Sequence, residues 1–135
     1  MNGDGKVVIE KLPTGVPGLD EVLGGGIPQF SFNLIAGEPG AGKTTLAQQI
    51  VFRNARPGAP AVYFTVLGES PLKMLRYQQQ FSFFDAARVG TSIRYVSLTD
   101  EALESGLEGV LARIVREVEE TSPGIGVVDS FRTLI

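Results

Sequence analysis

Apolar positions along the chain fall into two patterns. Short, mainly apolar runs occupy residues 32–36 (Phe-Asn-Leu-Ile-Ala), 61–66 (Ala-Val-Tyr-Phe-Thr-Val), 93–97 and 125–128. Runs of this length, bounded by Gly and Pro, predict buried strands. Between them apolar residues recur every three or four positions. Residues 43 to about 54 place Leu46, Ala47, Ile50 and Val51 on one helical face. Residues 102–120 do the same with Leu103, Leu107, Val110, Leu111, Ile114 and Val118. Residues 71–80 read as a further helix with Pro71 in its first turn, where a missing N–H costs nothing. Upstream, residues 7–9 are expected to form a short edge strand and residues 12–18 a turn-rich segment. Leu19, Val22 and Leu23 suggest one or two helical turns stopped by Gly24, Gly25 and Gly26. Residues 1–6 read as a flexible tail. Strand alternating with helix predicts one α/β domain over residues 1–135, with a mainly parallel sheet and no internal repeat.

Composition narrows the chemistry. The 135 residues contain no Cys and no His, so disulfides, Cys/His metal sites and a catalytic His are excluded. Carboxylates, Lys, Arg and hydroxyls must carry any reaction. The formal net charge is −3, and no run of Lys or Arg would track a phosphate backbone. A nucleic-acid surface is therefore unsupported. No stretch approaches the roughly 20 apolar residues of a membrane span. The polar N-terminus does not resemble a signal peptide, so a cytoplasmic protein is expected.

One motif carries a specific chemistry. Gly37-Glu38-Pro39-Gly40-Ala41-Gly42-Lys43-Thr44, followed by Thr45, matches G-x-x-x-x-G-K-[ST], the Walker A phosphate-binding loop. Glycines let the backbone wrap closely and aim N–H groups at phosphate oxygens. The helix that starts there turns its positive end toward the anion. Lys43 can reach the terminal phosphates, and the Thr44 hydroxyl can ligate Mg²⁺. The context the motif demands, an apolar run before the loop and an amphipathic helix after it, is present. The competing reading is a glycine turn that happens to precede Lys-Thr. A dinucleotide fingerprint fits less well, because G-x-G-x-x-G is missing. The expected ligand is a nucleoside triphosphate with Mg²⁺, with ATP favoured over GTP because no N-K-x-D base-reading motif occurs.

Two carboxylates complete the candidate set. Asp129 closes the apolar run 125–128, and with a phosphate loop upstream such an Asp is placed to hold Mg²⁺. An Asp after a strand also serves as an ordinary turn residue or helix cap. Glu69 follows the run 61–66 and could orient or deprotonate a water facing the γ-phosphate. Its competing role is a first-turn Glu favoured by the helix dipole. The candidate assignment is thus Glu69 and Lys43 for catalysis, residues 37–45 for nucleotide, and Thr44 with Asp129 for metal.

Beyond the loop, Thr14-Gly15-Val16-Pro17-Gly18-Leu19-Asp20, then Gly24-Gly25-Gly26-Ile27-Pro28, then Leu34 to Thr45 resemble the opening of KaiC-like ATPases of the RecA/RadA superfamily. Tyr63-Phe64-Thr65, Glu69-Ser70-Pro71, Phe81 to Asp85 and Val128-Asp129-Ser130 keep the same order. The resemblance runs from about residue 10 to the end. It implies a P-loop NTPase of RecA-like fold, ATP or ADP with Mg²⁺, slow hydrolysis, homohexameric rings and regulatory protein partners. The family includes a circadian-clock ATPase and autokinase, but a clock role is not implied.

Three departures from the family pattern matter. Gly68 stands where the family often has a second glutamate before Glu69. In RecA-like sheets a further strand lies between the phosphate-loop strand and the strand ending in Asp129, and the sequence up to Ile135 does not provide it. Residues by which a neighbouring subunit would reach the γ-phosphate are likewise not assigned. The expectation is a RecA-like domain truncated after the Asp129 strand, with two open sheet edges and poor hydrolysis by this chain alone. Two other functions share the same cradle: phosphoryl transfer to a hydroxyl, including autokinase activity, and nucleotide-gated assembly with little catalysis. Phe81, Phe83 and Phe84 read as core or subunit packing ahead of adenine stacking. Arg113, Arg116, Glu117 and Glu120 read as a solvated helix face, and Tyr77 as a subunit contact or exposed position.

Overall fold

The run at 61–66 becomes the centre of the fold. A computed structural model of the chain describes residues 8–38, 40–66 and 70–130. Two elements near the start, β1 (Lys11–Leu12) and β2 (Ile27–Pro28), pair antiparallel around α1 (Leu19–Val22). Then follow α2 (Lys43–Asn54), β3 (Ala61–Thr65), α3 (Pro71–Gln78), β4 (Ile93–Ser97), α4 (Thr99–Thr121) and β5 (Ile125–Asp129). Strands β3, β4 and β5 form a parallel sheet in the order β4-β3-β5, with Thr65 opposite Ser97 on one side and Asp129 on the other. Every residue of β3 is buried, as a strand paired on both edges and covered on both faces requires.

Period-two alternation sorts the side chains into two cores. Ala61, Tyr63 and Ile93 pack with Ala47, Val51, Phe52 and Ala55 of the α2 segment and Met74 of α3, joined by Tyr95, Ile125 and Val127. Val62, Phe64, Val66, Val96 and Leu98 pack with Val110 on the opposite face, joined by Ile114 and Val128. The molecule is thus layered helix–sheet–helix, with α2 and α3 on one side and α4 on the other. Residue 129 shares its parity with 125 and 127, which turns Asp129 toward α2.

The glycine-rich N-terminal stretch is a clasp on α2. Asp20 Oδ1 accepts from the Thr14 backbone N–H at 2.8 Å and from the Thr14 hydroxyl at 2.6 Å. The Thr14 hydroxyl in turn accepts from the Val16 N–H. This closed loop lies against the helix, where Gln49 Nε2 donates to Gly15 O and Asn54 Nδ2 to Pro13 O.

Four expectations need correction. The first strand is not 7–9 but Lys11–Leu12, because that is where Ile27–Pro28 supplies a partner; Val7 lies outside the described residues, as does the 1–6 tail. Residues 32–36 form no strand. Phe32 and Leu34 are 87% and 78% exposed, and among the described residues β5 pairs only with β3. Apolar sequence makes a strand only when a neighbour takes its N–H and C=O groups, and none does so among the described residues.

The helix expected at 102–120 is longer but broken: Gly106 adopts φ 62, ψ −151 inside α4. Leu103, Leu107, Leu111 and Val118 remain exposed, and Val110 is the apolar residue that α4 buries fully. Finally, the charged face of α4 is not wholly solvated. Glu117 is 2% exposed. Its Oε1 accepts from Arg113 Nε at 3.0 Å and from Arg94 of β4 at 3.3 Å. Arg113 also bonds Glu101 at 2.8 Å, so one guanidinium bridges the two sides of the Gly106 break. The aromatic residues follow the packing expectation: Phe83 and Phe84 lie 5.7 and 5.2 Å from the Phe52 ring, and Phe81 stacks on Phe83.

A candidate phosphate-binding site

The site is built where the turn before α2 meets the end of β5. Gly40 and Gly42 take φ 83 and 91, a left-handed conformation that disfavours any residue with a Cβ. The Ala41 N–H donates to Glu38 O, closing the turn, and Leu46 N–H to Gly42 O opens the helix. Gly42 is the N-cap of α2, and no side chain caps it. The first N–H groups of the helix are therefore not consumed by a capping side chain and are available to an anion. A cavity of about 230 Å³ opens beside them, lined by Gly40, Gly42, Lys43, Thr44, Thr45 and Tyr77.

Lys43 bends back over the loop, its Nζ donating to Gly37 O at 2.6 Å and to Glu38 O at 2.8 Å. A Cβ on Gly37 would sit 3.6 Å from Lys43 Cδ and 3.3 Å from Ala41 Cβ, so the loop leaves little room there. The ammonium is thereby fixed at the mouth of the turn.

Thr44 Oγ1 donates to Asp129 Oδ2 at 2.8 Å, and Tyr63 Oη donates to the same oxygen at 2.8 Å. Thr44 comes from the first turn of α2, Tyr63 from the middle of β3 and Asp129 from the end of β5. Burial, with the Asp129 charge adding to it, pushes the Tyr63 phenol far above its ordinary range, so it remains a donor. One hydroxyl and one carboxylate make a hard-oxygen pair of the kind that suits Mg²⁺, which is commonly held by one or two carboxylates plus substrate phosphates.

Behind the site a second polar chain crosses the core. Tyr95 Oη of β4 donates to Gln48 Oε1 of α2 at 2.8 Å, and Gln48 Nε2 approaches Met74 Sδ of α3 at 3.2 Å. It ties the helix that carries Lys43 and Thr44 to both the sheet and α3.

Of the residues singled out by sequence, Gly40, Gly42, Lys43, Thr44 and Thr45 line one cavity, Gly37, Glu38 and Ala41 build the adjoining turn, and Asp129 touches Thr44. Pro39 and Glu69 lie outside the described residues. Sequence reasoning missed Tyr63 as a partner of Asp129 and Tyr77 as a cavity wall. A tyrosine in an apolar strand gives no signal beyond core packing, and Tyr77 carries no motif.

Comparison with known proteins bears on the same residues. The family described as "ATPase: KaiC" matches residues 12–135. A UPF0273 protein of Thermotoga maritima is 38% identical over 76 residues, 56% of this chain and 31% of the relative. A UPF0273 protein of Methanopyrus kandleri is 39% identical over 77 residues, 57% of this chain and 30% of the relative. The DNA repair protein RadA of Mycobacterium tuberculosis is 37% identical over 122 residues, 90% of this chain and 22% of the relative. The chain therefore spans less than a third of the length of each of these relatives. No helix among the described residues is long and apolar enough to cross a membrane.

Proposed function

Because the chain belongs to the KaiC family of ATPases, we propose that residues 37–45 bind ATP with Mg²⁺ and that the complete site hydrolyses it slowly. The observation that carries this reading is the 2.8 Å contact between Thr44 Oγ1 and Asp129 Oδ2. It joins the phosphate turn to the end of β5, so a cation held there would sit beside the cavity mouth.

Within this reading each residue has one task. The N–H groups of the turn and of the start of α2 cradle the phosphates. Lys43 leaves Gly37 O and Glu38 O to neutralise charge on the terminal phosphoryl group. Thr44 and Asp129 hold Mg²⁺, which when bound supplies Lewis-acid charge to the phosphate oxygens. Glu69 positions the water that attacks the γ-phosphate.

The finer architecture proposed is RecA-like, with one more strand seated between residues 32–36 and β5. The exposure of Phe32 and Leu34, and an edge of β5 that no described residue shares, support it. Assembly of several copies, as in the hexamers that the family resemblance implies, is supported by the exposed apolar residues Leu103, Leu107, Leu111 and Val115 along α4. The DNA repair role named for RadA is not carried over, since the chain has a net charge of −3 and no basic run.

Calorimetric titration with ATP and GTP, with and without Mg²⁺, on the wild type and Lys43→Ala tests the reading. Mg²⁺-enhanced binding that Lys43→Ala weakens roughly thirtyfold supports it. Absence of any nucleotide binding by folded wild type at millimolar ligand overturns it.

A further inference from the structure

Tyr63 is 0% exposed, and its ring fills the core between α2 and the sheet. A phenylalanine would fill the same volume. The difference is one hydroxyl, a group that is costly to bury unless it is bonded. That hydroxyl ends on Asp129 Oδ2 at 2.8 Å, the oxygen that also accepts from Thr44. Tyr95 provides an internal contrast. It lies beside Tyr63 with ring centroids 5.6 Å apart, yet its hydroxyl goes to Gln48 and does not bond Asp129.

We propose that Tyr63 is a positioning residue for the metal-holding pair: its phenol pins Asp129 Oδ2 so that the carboxylate faces the Thr44 hydroxyl. The inference rests on the Mg²⁺-nucleotide reading above and names a residue that reading does not use. Two donors converge on Oδ2 from α2 and β3, which fixes the plane of the carboxylate. With both hydroxyls donating to Oδ2, the second carboxylate oxygen and the Thr44 lone pairs are left to a cation or its water. Without the phenol, Asp129 keeps one tether, and the metal must order the carboxylate when it binds. The expected loss is therefore in metal affinity and not in the binding of nucleotide alone.

The test compares Tyr63→Phe with Tyr95→Phe in the 135-residue chain. Binding of a fluorescent ATP analogue is titrated in EDTA and then across a Mg²⁺ series. In EDTA both variants bind the analogue within about twofold of wild type. The Mg²⁺ concentration for half-maximal tightening rises roughly tenfold in Tyr63→Phe, the usual scale for losing a partner of a metal ligand, and stays unchanged in Tyr95→Phe. An unchanged Mg²⁺ midpoint in Tyr63→Phe, or an equal shift in both variants, overturns the inference while leaving the nucleotide reading intact. Wild type that shows no Mg²⁺ effect overturns that reading itself. Removing a buried hydroxyl can also loosen the core, so a cycle with Asp129→Asn separates the two causes. In the Asp129→Asn background, Tyr63→Phe adds no further shift if it acts through that carboxylate. A further tenfold shift there overturns the inference.

Discussion

The hydroxyl of Thr44 donates to Asp129 Oδ2 across 2.8 Å, although 85 positions separate the two residues. The parallel register of β3 and β5, which sets Thr65 opposite Asp129, brings Asp129 to the first turn of α2. Replacing Thr44 with Val keeps the shape and removes the donor. Mg²⁺ enhancement of nucleotide binding should then fall at least tenfold, on the scale seen when groups around a metal are lost. Binding in EDTA should change little. A Mg²⁺ titration of both proteins checks this.

Lys43→Ala removes the ammonium that bonds the turn. A hydrogen bond to a charged group contributes about 2 kcal/mol, so ATP affinity should drop roughly thirtyfold. Thermal stability should barely change, because among the described residues the lysine bonds to backbone carbonyls at an exposed loop. Calorimetry and a melting curve measured together test both halves.

Gly42→Ala forces a Cβ into a φ of 91. The left-handed conformation costs an L-residue about 1–2 kcal/mol, so the start of α2 should fray or shift. Nucleotide binding should weaken more than global stability does. Amide exchange at residues 43–46 reads the fraying directly.

Arg113→Met strands Glu117, whose carboxylate is 2% exposed and keeps only the longer 3.3 Å contact to Arg94. Losing one partner of a buried pair destabilises by about 3 kcal/mol, and the remaining arginine keeps the loss near the low end. The double variant Arg113→Met, Glu117→Leu should recover much of that stability. Urea denaturation of the three proteins decides it.

Hydrogen bonds from the Thr14 hydroxyl and N–H hold the Asp20 carboxyl below the usual carboxylate range. A depressed carboxylate stabilises the folded loop fully above its unfolded value of about 3.9 and loses that contribution as pH falls through the folded value. The Thr14 amide resonance should therefore titrate below about pH 3.9, on the same unfolded reference, and should not do so in Asp20→Asn.

Much of the layout was legible because it depends on periodicity alone. The runs at 61–66, 93–97 and 125–128 became β3, β4 and β5, and helix α2 begins at Lys43 as the loop motif requires. The same signal predicts a strand at residues 32–36, but an apolar run does not say whether a pairing neighbour exists. Glu117 misled for a related reason. The i,i+4 spacing to Arg113 looks identical on a wet face and a buried one, and only Arg94, arriving from β4, reveals which it is. In the candidate site, the local motif from Gly37 to Thr45 was legible. The role of Tyr63 toward Asp129 was not, because 66 positions separate them and the pairing is created by the sheet. Glu69 lies outside the described residues and remains a proposal.

The bonds that Lys43 makes to its own turn have a consequence for selectivity. Under the proposed reading an incoming anion competes with two carbonyl oxygens for the ammonium, and a single small ion has few contacts with which to offset that competition. A triphosphate reaches the helix start and the lysine at once. On that reading the closed-back side chain is expected to act as a length gauge, favouring a chain of phosphoryl groups over free phosphate or sulfate.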